Sequence, residues 1–69
     1  MDIITQRIRD LREKNKKTQK EVANFLKMTI QAYQKYEYGT REPKIEKIKM
    51  LALYYNVTTD YLLGLTDKK

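Results

Sequence analysis

A capping box at Thr18-Gln19-Lys20-Glu21 fixes where a helix must begin, and the stretch from there to Gly39 leaves room for one further helix. Thr18 can accept from the backbone N–H of Glu21 while the Glu21 side chain reaches back to the amide of Thr18, which marks a helix start. Val22, Ala23 and Leu26 then fall at helical spacing, and the small Ala23 lets another helix come close. Met28 carries the chain inward, and Thr29 caps the next helix. In that helix Tyr33 and Tyr36 share one face, while Gln31, Gln34 and Lys35 project from the opposite one. Two short helices joined by a tight turn are expected, the second with a free polar face. This is the layout of a helix-turn-helix, assigned to residues 18–38.

The flanking sequence keeps a helical period throughout and has no sustained alternation of period two, so the chain is read as all-α, with five short helices and no sheet. A first helix over about residues 3–15 places Ile4, Ile8 and Leu11 on one face and Arg7, Arg9, Arg12 and Lys14 around the rest. Asn15-Lys16-Lys17 follows as a basic loop. Gly39 supplies the left-handed residue that ends the third helix, and Glu42-Pro43 starts the fourth with proline in its first turn. That helix is expected over about residues 43–55, with Ile45, Ile48, Leu51, Ala52 and Tyr55 inward. Asn56 takes a left-handed position, Thr58 caps a last helix running through Leu63, and Gly64 closes it. Residues 67–69 are expected to fray. With no repeat, linker or low-complexity segment, residues 1–69 read as one domain.

Charge and composition narrow the function classes. Fifteen Lys and Arg against nine Asp and Glu give a net charge of +6 and a sequence pI near 9.6. Such a balance attracts a polyanion, nucleic acid first and an anionic membrane surface second. The chain has no cysteine and no histidine, which removes disulfides, thiol chemistry and the usual zinc sites; no cofactor is expected, and a reducing compartment fits. The longest apolar run, residues 50–55, is too short to cross a bilayer, and the first residues lack the basic region and apolar core of a signal peptide. A cytoplasmic protein is the resulting expectation. Asp10 and Glu13 are placed to pair with Lys14 and Arg9 on the first helix rather than to form a catalytic dyad. The only glycines, Gly39 and Gly64, make no phosphate loop. An enzyme is not expected. A domain of this size buries only about 60% of its unfolded surface, so a dimer contact is a natural source of added stability.

Laid out this way, the chain resembles the phage-repressor and Cro family of helix-turn-helix domains, often called XRE-type. The resemblance runs from about Ile4 to Leu65. It rests on Arg12, Thr18-Gln19, Glu21-Val22-Ala23, Leu26, Thr29, Glu37-x-Gly39, Pro43, Leu51-Ala52, Val57-Thr58, Asp60 and Leu62-Leu63-Gly64, taken in order and spacing. It implies a compact five-helix, lambda-repressor-like fold, an Arg12–Glu37 ion pair, a backbone-phosphate contact at Gln19, and base-reading positions at Ile30, Gln31, Gln34 and Lys35. Three residues depart from the family pattern. Lys27 stands where glycine is usual in the turn, so a strained left-handed lysine is expected there. Phe25 and Leu53 stand where polar side chains are usual, as local packing or as partner contacts.

Each candidate side chain has its own chemistry. Gln31 can pair bidentately with adenine through N6 and N7; Ile30 suits a thymine methyl; Lys35 can reach guanine O6 or N7, or else a phosphate; Gln34 is a weaker version of Gln31. Thr18 and Gln19 sit where free N–H groups at a helix start favour an anion. Thr29, Tyr38, Thr40, Arg41 and Lys44 are read as further phosphate contacts, supplying affinity and orientation without sequence information. Tyr33 and Tyr36 face inward and are read as core rather than as base-stacking residues. Arg12 and Glu37 are expected to link the first and third helices as a partly buried pair. Leu53, Tyr54, Tyr61, Leu62 and Leu65, with Tyr55, give the last third more apolar surface than a small core needs, which points to a two-fold dimer contact.

The expected function is a sequence-specific regulator of transcription, a repressor, whose dimer binds a palindromic double-stranded operator with the third helix in the major groove. Unless the chain is cut from a longer repressor, no ligand-sensing or oligomerisation domain is expected, and control would come from concentration, competition or a protein antagonist. A different class stays open: a protein-interaction module of the antitoxin or antirepressor type, with Phe25 and Leu53 at its contact and DNA binding secondary. A cationic membrane-surface helix is disfavoured, because no helix joins a broad exposed apolar face to a basic one.

Overall fold

The computed structural model describes residues 2–69, and all but one of its helices start at a side-chain cap. The elements are α1 (Ile3–Lys14), α2 (Gln19–Phe25), α3 (Ile30–Tyr38), α4 (Ile45–Tyr55) and α5 (Thr59–Leu63). No strand occurs among the described residues. Asp2, Thr18, Thr29 and Thr58 each accept from the backbone N–H three residues on, at 2.9–3.1 Å, which satisfies one otherwise orphaned donor per helix. At Thr18 the box closes in both directions, since its amide donates to Glu21 Oε1 at 2.9 Å. The cap at Asp2 is an addition to the sequence reading. Gly39 (φ 80°), Asn56 (φ 55°) and Gly64 (φ 82°) end α3, α4 and α5 in the left-handed region. Gly64 also lacks room for a side chain, because a Cβ there would press on Ile3, with Cγ1 at 3.1 Å.

The core joins all five helices. Ile8 and Leu11 from α1, Val22 and Ala23 from α2 with Leu26, Tyr33 and Tyr36 from α3, Ile48, Leu51, Ala52 and Tyr55 from α4, and Leu62 from α5 are buried together. Met28 packs against this cluster as it carries the chain out of the turn. In this arrangement α3 rests on α1 and α2, while α5 bridges α1 and α4. The result is that α3 has support from behind and an open outer side.

Four expectations need correction. First, α4 begins at Ile45, and Pro43 lies ahead of its cap residue Lys44 rather than in the first turn. Pro43 is buried, so it acts as the apolar residue that sets the angle at which chain enters helix. Second, Ile45 does not face inward; it is 62% exposed, and the packed face of α4 starts a turn later at Ile48. Third, the tail does not fray freely. The Arg7 guanidinium stacks on the Tyr61 ring at 4.1 Å, donates to the carbonyls of Tyr61 and Thr66, and meets Asp67 at 2.8 Å. Fourth, the ion pairs among the described residues are Arg7–Asp67 and Arg12–Glu37, so the expected surface pairs of Asp10 and Glu13 do not form. Exposed pairs of that kind gain too little to hold two long side chains in place.

Lys27 occupies the left-handed region at φ 59°, as its place in the turn requires, and Lys16 does the same at φ 56° after α1. A side chain in that region costs about 1–2 kcal/mol, and glycine avoids the cost while losing about 0.5–1 kcal/mol in chain entropy. Lys27→Gly is therefore expected to stabilise the domain by about 0.5–1 kcal/mol. A higher urea midpoint at unchanged slope would show it; a lower midpoint would mean that the lysine stem contributes packing that outweighs the strain.

Candidate nucleic-acid interface

One buried carboxylate organises the face that contains the helix-turn-helix. Glu37, on the inner side of α3, is 1% exposed. Its Oε2 accepts from Arg12 Nε at 2.6 Å and from the Tyr33 hydroxyl; its Oε1 accepts from Arg12 Nη2 and from Gln19 Nε2, both at 3.1 Å. The same residue's carbonyl accepts from Arg9 Nη2 at 2.9 Å, and Arg12 Nη1 donates onward to the carbonyl of Lys17 at 3.1 Å. α1, α2 and α3 thus meet on a single charge.

The electrostatics follow from this geometry. Burial is the strongest single influence on the Glu37 carboxyl and opposes its ionisation, but hydrogen bonds from Arg12, Tyr33 and Gln19 together outweigh it and hold the group below the ordinary carboxylate range. The hydrogen bond to Glu37 raises Arg12, and burial, followed by the same carboxylate, raises the Tyr33 hydroxyl, so both remain donors. Burial likewise raises the Tyr55 hydroxyl, which has no hydrogen-bond partner in the core.

On the outer side of α3, Gln31 and Lys35 are exposed, and Ile30 and Gln34 are half-buried. Thr18, Thr29, Tyr38, Thr40, Arg41 and Lys44 are exposed around them, with Gln19 half-buried. Gln34 is not free, because its Nε2 donates to Gln19 Oε1 at 3.0 Å. The helix pair also has a support the sequence did not reveal: Lys47 Nζ donates to the carbonyl of Leu26 at 2.7 Å, closing the C-terminal end of α2 from α4.

Residues 8–62 match the helix-turn-helix family, and with the turn, the two capped helices and the buried Glu37 in place the assignment is decided. The chain belongs to the helix-turn-helix family. Its relatives include an uncharacterised HTH-type transcriptional regulator, YobD, of Bacillus subtilis, 39% identical over 90% of this chain and 55% of the relative. The cryptic phage CTXphi transcriptional repressor RstR of Vibrio cholerae is 40% identical over 80% of this chain and 50% of the relative. The HTH-type transcriptional regulator ImmR of Bacillus subtilis is 40% identical over 84% and 46%. The chain spans about half the length of the curated relatives it matches. No solved structure matches it. The helix-turn-helix family is one of DNA-binding transcriptional regulators, not of enzymes, and among the described residues no helix is long and apolar enough to cross a membrane.

The residues assigned to the last third separate into two groups. Leu62 is 1% exposed and belongs to the core, so it offers no contact surface; its period within α5 matches both an inward and an outward reading, and closure of α5 over α1 and α4 decides it. Leu53 and Leu65 are 81% and 73% exposed, while Tyr54 and Tyr61 are half-buried. Phe25 sets its ring 4.3 Å from that of Tyr54, which accounts for it as local packing. Sequence reasoning misses Arg7, Arg9 and Lys47 as structural residues. Arg9 carries a signal, because it precedes Arg12 by three positions and shares its face. Arg7 and Lys47 reach partners far along the chain, and no local pattern announces such contacts.

Proposed function

We propose that this domain is the sequence-specific reading head of a transcriptional repressor, binding a palindromic operator as a dimer with α3 in the major groove. The observation that carries the reading is the two-sided character of α3: Glu37, Tyr33 and Tyr36 lock its inner side, and Ile30, Gln31 and Lys35 are left on its outer side. Exposed Thr18, Thr29, Tyr38, Thr40, Arg41 and Lys44, with Gln19, border that side as phosphate contacts, which fits a net charge of +6. The repressor sense is supported by the similarity to RstR. Leu53, Tyr54, Tyr61 and Leu65 supply the surface for the two-fold contact, and the palindrome reflects that symmetry, with half-sites about 10–10.5 base pairs apart.

Selection from a random DNA pool tests this directly. An enriched palindrome supports the whole reading; a bound but non-palindromic site removes the dimer, and no enrichment removes sequence-specific binding. Two variants then separate reading from holding. Gln31→Ala is expected to cost about 1–3 kcal/mol on the selected operator and to relax preference at one base pair per half-site. Lys44→Ala is expected to weaken all duplexes alike. Equal losses on operator and random DNA for both, by fluorescence anisotropy, would mean that α3 does not read sequence.

A further inference from the structure

Arg7 does more than tether the tail, because it holds one leucine out in water on a fixed backbone. After α5, Gly64 turns the chain at φ 82°, and its amide donates to the Tyr61 carbonyl at 3.1 Å. The next amide, that of Leu65, donates to the Asp60 carbonyl at 2.9 Å, and the carbonyl of Thr66 accepts from Arg7 Nη1 at 2.6 Å. The chain is therefore pinned on both sides of the Leu65 side chain, which is nevertheless 73% exposed. A loose tail lets such a side chain wander. Here it has only its own rotamers. Four residues earlier, the Tyr61 ring is stacked under the Arg7 guanidinium, whose side chain is 12% exposed and whose charge meets Asp67 at 2.8 Å.

We infer that Arg7 is a positioning residue for association: it pre-organises Leu65, with Tyr61, as an apolar contact that meets the same residues of a second copy of this chain. The inference rests on the reading that the domain binds DNA as a dimer through its last third. A two-fold axis brings identical patches together, so what one copy presents it must also accept. An exposed leucine on a held backbone meets that condition, whereas a bare cation repels its own counterpart. Each copy carries a net charge of +6, so a self-contact needs local cancellation, and the Arg7–Asp67 pair supplies it. Lys69, 5.9 Å from the Tyr61 ring, has a stem long enough to keep its charge in water beside the contact. Ordering the leucine in advance reduces the freedom lost on association. From α1 it is Arg9 and Arg12 that reach Glu37 of α3, while Arg7 reaches α5 and the tail, so a change at Arg7 leaves the support of α3 in place.

The test measures cooperativity on the selected operator with the whole chain: the affinity of the second protomer for a full site relative to that of the first. Where the free chain is already dimeric, its dissociation constant from sedimentation equilibrium takes the place of this factor. Leu65→Ala is expected to lower the factor about tenfold, and Arg7→Met about as much, counting one ordering cost on each protomer. Half-site affinity is expected to stay nearly unchanged for Leu65→Ala. The charge lost in Arg7→Met weakens the binding of both protomers alike, so it cancels in the factor. The double variant is expected to lose no more than the larger single loss, because Arg7 acts through Leu65. Arg7→Lys, which keeps the charge but lacks the planar fork, serves the same comparison if circular dichroism shows the methionine variant unfolded. A factor unchanged by Leu65→Ala or by the folded Arg7 variant, or losses that multiply in the double variant, would overturn the inference while leaving the dimer reading intact. A wild-type factor near one on the full site, from a chain that is monomeric when free, would remove the dimer reading, and this inference with it.

Discussion

Glu37→Ala is expected to destabilise the domain by about 3–5 kcal/mol, because it leaves Arg12 with an unpaired charge at the junction of three helices and removes the acceptor for the Tyr33 hydroxyl. Small domains have total stabilities of about 5–15 kcal/mol, so this one change brings the chain near its unfolding limit. Arg12→Ala should cost a comparable amount, with Tyr33 and Gln19 left as the remaining donors to a buried carboxylate. The double variant should lose less than the sum, and strictly additive losses in urea denaturation would show that the pair is not coupled. A pH dependence goes with it. Glu37 ionises below its ordinary range in the folded state, so its contribution is present above the unfolded value of about 4.3 and is lost as pH falls through the folded value. Asp2 and Glu21 are lowered as well, chiefly by backbone hydrogen bonds at their helix starts, so the wild type will weaken in acid for more than one reason. The difference between wild type and Glu37→Gln isolates the buried group: it should be largest at neutral pH and shrink below about pH 4.3. A difference independent of pH would assign the loss to shape rather than to charge.

The second large effect concerns salt. Around α3 the domain offers exposed Lys35, Arg41 and Lys44, with the exposed hydroxyl groups of Thr18, Thr29, Tyr38 and Thr40 beside them. A dimer neutralising about six to eight phosphates should show a slope of about −5 to −7 in a plot of log affinity against log salt concentration. Between about 50 and 200 mM salt, that amounts to about a thousandfold loss or more. Lys44→Ala on both protomers should make the slope shallower by about two, one for each phosphate contact removed. A slope near zero would mean that backbone contacts are not the main source of affinity, and would favour a partner protein over DNA as the occupant of this face.

The helices are legible in the sequence because their ends are written in local chemistry. Thr18, Thr29 and Thr58 cap within three residues, Gly39, Asn56 and Gly64 stop within one, and none depends on the rest of the fold. The Arg12–Glu37 pair is reached through family resemblance, since nothing local joins residues 25 apart in sequence. What escapes is tertiary. Pro43 has a pattern that suits a first helical turn or the residue before a cap, and only the start of α4 after Lys44 decides between them. Leu62 can face either way until α5 closes over α1 and α4. The exposure of Ile45 reflects where the core ends, which periodicity does not encode. Arg7 has the sequence pattern of a surface charge, although a guanidinium can stack, donate several hydrogen bonds and carry charge at once, and here it does all three with residues at the far end of the chain. Gln34 has the spacing of a free side chain because its tie is to another side chain, and such a tie leaves no trace in spacing.

The four donors gathered on Glu37, with Tyr33 and Tyr36 sealed behind α3, leave that helix little freedom to roll or slide within the domain. A surface held in this way docks as a rigid body, so the heat-capacity change on association should be that of the contact area alone, without the added signature of a segment folding as it binds.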